Sequence, residues 1–363
     1  MLAGEARAIA REWVVTGSRA WPGFHGAYFI GSTSFRPDDA PLDPASDIDV
    51  VVVVTGEPGA GIPSGKILHR GVLLDVTPMA RERIATPEMV LANYHLAGGL
   101  AGGLAGGLAG GFRTTGIILD PAGDLSRLHA AVARQFARQD WVVRRRDHAA
   151  DRVTGCLDAL DAMDPADPFH RQVVPWLFGT GVLTHVLLVA GLRNPTVRTR
   201  YVAVRNLLSD HGRLGFHETL LTSLGSAGMD RDLVAHHLDL LTVAFDAARH
   251  ITRTPVPFAS DISLAARPVA IDGCRDLVAR GDHREAVFWL AATFSRCMTI
   301  FAADAPPETF GRFDGDYRAL LADLGISGPA DLRRHATGVR RLLSDVQGLS
   351  DTIMAATPGI HDA

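Results

Sequence analysis

Lysine is almost missing from this chain of 363 residues: Lys66 is the single one, and arginine supplies every other basic side chain. No glycine-rich loop of P-loop spacing surrounds Lys66, which excludes a Walker-type phosphate site. With abundant alanine and glycine, the bias towards arginine reads as the mark of a GC-rich genome. Cysteine is scarce as well. Cys156, Cys274 and Cys297 are far apart and odd in number, so neither a disulfide framework nor a zinc-finger spacing is present, and a reducing cytoplasm fits. A basic excess is also lacking. With 36 basic against 40 acidic residues the formal net charge is -4. A protein that grips long nucleic acid shows the opposite balance. A nucleic-acid partner is therefore disfavoured, and a small-molecule or protein substrate favoured. At the N-terminus, Glu5, Arg7, Arg11 and Glu12 stand where a secretory leader needs an apolar run.

No ordinary apolar run is long enough for a membrane span. The odd segment is Leu96 to Gly111, four copies of Leu-Ala-Gly-Gly. Half of it is glycine, which weakens a helix, and it is short for a bilayer. It reads as a loop expanded by repeat duplication, and no membrane contact is expected.

The hydrophobic content of 47% is enough for one large domain or two ordinary ones. Residues 4–16 carry a helical stripe of Ala6, Ile9, Ala10 and Trp13. Strands are expected over 26–30, 47–54, 66–68, 72–76 and 114–119, with Pro78 closing the fourth. The valine run from Val50 to Val54 predicts burial on both faces at the far end of its strand. A helix is expected over 85–97, with Pro87 in its first turn.

After about residue 124 the pattern turns wholly helical, over 124–137, 139–163, 170–191, 196–209, 230–252, 264–280, 283–302 and 329–355. Breaks fall at Asp164-Pro165, Asn194-Pro195, Gly225 and Pro306-Pro307. This order predicts an α+β fold: an N-terminal mixed sheet with flanking helices over 1–124, then an all-α domain over 125–363.

Three features concentrate the chemistry. One strand ends in Gly31-Ser32. The next opens with Ser46-Asp47-Ile48-Asp49. Asp75 then interrupts the apolar strand Val72-Leu-Leu-Asp-Val76. Strand side chains alternate, so Asp47 and Asp49 share a face. Carboxylates this close repel one another unless a cation lies among them. Magnesium meets that demand: it takes carboxylate oxygens and keeps positions for substrate phosphates. Gly31 permits close backbone approach, and Ser32 offers a hydroxyl and an amide to phosphate oxygens.

Gly31-Ser32, Asp47-Ile48-Asp49 and Asp75 together resemble the signature of the DNA polymerase beta-like nucleotidyltransferase superfamily, over about the first third of the chain. The resemblance implies a small mixed sheet flanked by helices and a site holding two magnesium ions. Asp47 and Asp49 would bind both ions and Asp75 the catalytic one, while Gly31, Ser32 and Ser46 fall to the nucleotide. A transferase domain followed by helices is similar to the small-molecule, aminoglycoside-type nucleotidyltransferases. That implies a nucleoside triphosphate donor, ATP, a hydroxyl on a small molecule as acceptor, and pyrophosphate as leaving group. Transfer to a protein or RNA partner, or nucleotide binding without catalysis, are the alternatives.

The chain departs from the family pattern in one place. The gap between Ser32 and Asp47 is longer than usual and holds Pro37, Pro41 and Pro44, so a loop is expected where the family has a short helix. Asp38, Asp39 and Asp43 there read as solvated.

Farther on, a basic stretch opens the helix after Pro195. Arg198, Tyr201 and Arg205 on one face make either a solvated surface or a surface that meets triphosphate or substrate. Arg144-Arg145-Arg146 reads as surface charge. The histidines, among them His185, His236 and His237, form no zinc set.

Overall fold

The valine run lies at the centre of a five-stranded mixed sheet. The computed structural model describes residues 1–100, 116–256 and 258–362. The strands are β1 (Phe24–Ile30), β2 (Ile48–Val54), β3 (Gly65–His69), β4 (Val72–Ala80) and β5 (Ile117–Leu119), in the order β3-β4-β2-β1-β5. β2 pairs with β4 in parallel, and the other pairings are antiparallel. The mixed α/β character is as expected.

Two compact units make up the chain. One comprises Met1–His148, Leu188–Thr196 and Ile353–Ala363, the other Ala149–Leu187 and Val197–Thr352.

In the first unit, Ile48, Val50, Val52 and Val54 of β2 pack with Val72, Leu74 and Val76 of β4. Their shared cover is Ala6, Ala10 and Val14 of helix α1 (Ala3–Gly17). Val51 and Val53 point to the other face and are buried there too, so the continuous valine run reports burial on both faces. Each such valine contributes about 1.5–3 kcal/mol relative to exposure.

The first turn of α1 also fixes the loop that precedes β2. Ala3 and Gly4 donate their amides to the carbonyls of Ala40 (2.9 Å) and Asp38 (3.0 Å). These are amides with no partner inside the helix. Arg7 donates to the carbonyls of Thr33 and Arg36. The three prolines do not abolish the turn after Gly31: Ser32–Phe35 forms one 3-10 turn, and the loop begins only after it.

Three local expectations change in this unit. β4 continues through Pro78 to Ala80. Beyond Val76 it has lost its β3 partner, and a proline with no amide is tolerated on such an edge. The expected helix over 85–97 is two, α2 (Pro87–Leu91) and α3 (Tyr94–Leu100). Asn93 divides them, its side chain accepting the amides of His95 (3.0 Å) and Leu96 (3.3 Å), as an N-cap does. The triplet read as surface charge is only partly so: Arg145 is buried, 2% exposed. It donates to the carbonyls of Leu91 (3.2 Å) and Phe136 (2.5 Å) and stacks on the Phe136 ring. Those carbonyls end α2 and α4 (Asp124–Gln135), where helical backbones need donors. Burial brings the Arg145 guanidinium down to about 9. Most of the Leu-Ala-Gly-Gly segment, and Thr114 and Thr115 of the expected last strand, lie outside the described residues.

Every element after β5 among the described residues is helical. They include α5 (Gln139–Asp161), α6 (Phe169–Ala190), α7 (Arg200–Asp210), α8 (Gly215–Leu224), α9 (Arg231–Ile251), α10 (Gly273–Ala279), α11 (His283–Asp304), α12 (Pro307–Asp323) and α13 (Pro329–Ala356). α8 and α12 fall outside the expected helices. Pro307 is the first residue of α12 rather than a stop, a position suited to proline, and Gly311 and Gly315 dilute that helix's apolar period. Part of the helix expected over 264–280 is a π-turn, Pro268–Asp272. α6 and α11 are long and apolar enough to cross a membrane. The most apolar windows of the two helices are 83% and 78% buried within the protein, as core helices are.

Candidate metal centre

Three carboxylates and one ammonium meet on the sheet face opposite α1. The register places Ile30 of β1 beside Asp49 of β2, Asp49 beside Asp75 of β4, and Asp75 beside Lys66 of β3. Residues paired across a sheet point to the same face, and Asp47 shares it two residues before Asp49. One ligand oxygen from each of Asp47, Asp49 and Asp75 lies within 4.8 Å of the others. Among the described residues, no other group of three His, Cys, Asp or Glu side chains comes this close.

Gly31 completes the arrangement. Its φ of 74° is in the left-handed region, open to glycine at little cost. A Cβ there would lie 1.7 Å from Asp49 Oδ2. The glycine is therefore required twice, by its backbone angle and by the carboxylate that fills its side-chain space. Ser32 follows, exposed, and Ser34 donates its hydroxyl to the Gly31 carbonyl at 2.7 Å. Ser46 is half-buried and donates its amide to the Asp43 carbonyl at 2.9 Å. The Asp43 side chain in turn accepts the Ala45 amide at 2.8 Å, a local turn bond at the entry to β2. Asp38 is exposed and pairs with Arg7.

Lys66 was missed as a site residue. Its Nζ lies 2.5 Å from Asp47 Oδ2 and 2.7 Å from Asp75 Oδ2, with the side chain 6% exposed. The signal was present in the hairpin. Arg70 and Gly71 both take positive φ, 48° and 81°, as a two-residue hairpin turn of the primed kind requires. Counting back from that turn puts Lys66 opposite Asp75. Arginine is an unusual first residue for such a turn, which hid the register.

The electrostatics follow from this crowding. Burial, then the charges of Asp47 and Asp75, push the Asp49 carboxyl well above the usual carboxylate range, and Lys66 opposes them. Burial works against the Lys66 ammonium, but Asp47 and Asp75 outweigh it and hold the group protonated, above the usual lysine range. The donor set suits a hard divalent ion: all three side chains offer oxygen. A cation already sits between two of them in the form of the ammonium.

Arg198, Tyr201 and Arg205 do not form one exposed basic face on α7. α7 begins at Arg200, so Arg198 precedes it. Tyr201 is buried. Arg205 is engaged by Glu285 at 2.7 Å and Asp282 at 2.8 Å. The three cysteines are free thiols, and Cys274 and Cys297 are buried.

Compared with protein-family models, with curated proteins and with solved structures, the chain matches none.

Proposed function

We propose that the chain is a metal-dependent nucleotidyltransferase that moves a nucleoside monophosphate, AMP from ATP, onto a hydroxyl of a small molecule and releases pyrophosphate. The observation that carries this reading is the convergence of Asp47, Asp49 and Asp75 on one sheet face, with their oxygens within 4.8 Å, beside a glycine whose side-chain space Asp49 occupies.

Asp47, Asp49 and Asp75 would hold magnesium, two ions in the working enzyme. Magnesium supplies neutralisation of phosphate charge and a more acidic acceptor hydroxyl. The chain's own residues do the positioning. Gly31 leaves its side-chain space to the Asp49 carboxylate, and its amide backbone would face the phosphates beside that ligand. The exposed Ser32 hydroxyl donates to a phosphate oxygen, and Ser46 lies at the entrance to the carboxylate strand. The acceptor hydroxyl gives up its proton to solvent, its oxygen bonds the α-phosphorus as the bond to the β-phosphate breaks, and pyrophosphate leaves with the bonding electrons. Little covalent work falls to the protein in such a step, so orientation and charge placement dominate the rate. On this reading residues 1–124 form the transferase part and the helical residues 125–363 serve the acceptor.

Pyrophosphate release from ATP and magnesium, measured across hydroxylated small molecules with aminoglycosides included, tests this. Release that depends on one acceptor class and is lost in Asp49→Asn supports the proposal. Release that survives Asp49→Asn, or none with any acceptor, counts against it.

A further inference from the structure

We propose that Lys66 is a built-in competitor of the metal ion. Its ammonium already bridges one oxygen of Asp47 and one of Asp75, so entry of an ion between those carboxylates and departure of Lys66 are one exchange. The inference rests on the metal-centre part of the proposed function and not on the transfer reaction.

Space is the first argument. The ammonium is 2.5 Å from Asp47 Oδ2 and 2.7 Å from Asp75 Oδ2. Magnesium binds oxygen at about 2.1 Å. An ion drawing on those two oxygens takes the volume that Nζ occupies, and two cations cannot share it without strong repulsion. The second argument is charge. Without a cation, three carboxylates within 4.8 Å repel one another in a half-buried setting. Lys66 removes part of that repulsion and keeps the carboxylates gathered while the ion is away. The third argument is the kind of cation. This position carries the chain's single lysine, while every other basic residue is arginine. An ammonium is a point charge on a flexible stem. A guanidinium would grip a carboxylate through two parallel bonds and leave less readily.

Lys66 therefore has two effects of opposite sign. It stabilises the ion-free protein and weakens binding of the ion. A purely structural lysine would show only the first.

Nucleotide-free Mn²⁺ binding, followed by the resonance of the free ion, separates the two in wild type, Lys66→Gln and Lys66→Arg. The expected result is binding on the order of 10-fold tighter in Lys66→Gln and none tighter in Lys66→Arg. Melting of ion-free Lys66→Gln should fall below wild type and recover with Mn²⁺. A second measurement needs no variant. Because Lys66 is the only lysine, acylation by an amine reagent, mapped by peptide mass, reads this one side chain. Mn²⁺ should raise its rate several-fold.

Equal or weaker Mn²⁺ binding in Lys66→Gln, or an acylation rate that Mn²⁺ leaves unchanged or lowers, overturns the exchange while the transferase reading stands. Absence of Mn²⁺ binding in wild type and both variants overturns the exchange and the metal centre together.

Discussion

The Asp49 carboxylate occupies the place where a side chain on residue 31 would begin: a Cβ on Gly31 would lie 1.7 Å from Asp49 Oδ2. Gly31→Ala must therefore displace Asp49 as well as strain a backbone held at φ 74°. We expect magnesium-dependent transfer to fall by on the order of 100-fold, since displacements of about 1 Å cost that much in positioned chemistry. Rates of Gly31→Ala and wild type at saturating ATP check this. An alanine variant of near wild-type rate would show that the contact has no bearing on the chemistry.

Arg145 ties two helix ends together through the carbonyls of Leu91 and Phe136. Arg145→Leu keeps an apolar body but leaves both carbonyls without that donor. A loss of about 2–6 kcal/mol is expected, because each of the two buried unsatisfied groups costs about 1–3 kcal/mol. Urea unfolding of the variant measures it, and a loss below about 1 kcal/mol would contradict the role.

Glu285 is 3% exposed and holds Arg205, itself 31% exposed. Glu285→Gln should cost about 1–2 kcal/mol. That is less than the full cost of breaking a buried pair, since solvent screens Arg205 and Asp282 remains beside it. Guanidinium titration reads the difference.

Burial pulls His170 down to about 4 from 6.5, with the nearby Arg171 and Arg318 charges adding to it and Asp314 opposing. As pH falls below 6.5 the unfolded chain takes up this proton and the folded chain does not, until about pH 4. The folded state is therefore favoured above that window and loses stability as pH falls through it. Asp49, whose carboxyl is raised, acts with the opposite sign over an overlapping range, so the informative quantity is a difference. The pH dependence of unfolding between pH 8 and pH 4.5 should be shallower in His170→Phe than in wild type, by about 1 kcal/mol or more over the window. Equal slopes would contradict it.

The sheet was legible because its signals are local. An unbroken valine run marks a doubly buried strand, and Asp49 and Asp75 break apolar strands where nothing structural asks for charge, with Asp47 just before β2. What stayed hidden depends on register or on distant partners. Lys66 joins the site only because the Arg70-Gly71 turn sets β3 against β4. Arg145 reads as surface charge until α2 and α4 bring their carbonyl ends to it. Arg205 reads as a cation awaiting an anion, but Glu285 lies 80 residues away in sequence. The helices α8 and α12 are hidden because Gly225 just past the end of α8 and Pro306-Pro307 at the start of α12 read as breaks.

Position-specific labelling of the donor tests the central claim most directly. ATP labelled at the α-phosphate and ATP labelled at the γ-phosphate would be supplied in parallel, with magnesium and an accepting hydroxyl compound, to wild type and Asp49→Asn. Nucleotidyl transfer predicts α-label in the acceptor, γ-label in pyrophosphate, and neither product from Asp49→Asn. γ-Label in the acceptor, or α-label transfer that persists without the Asp49 carboxylate, would contradict the account.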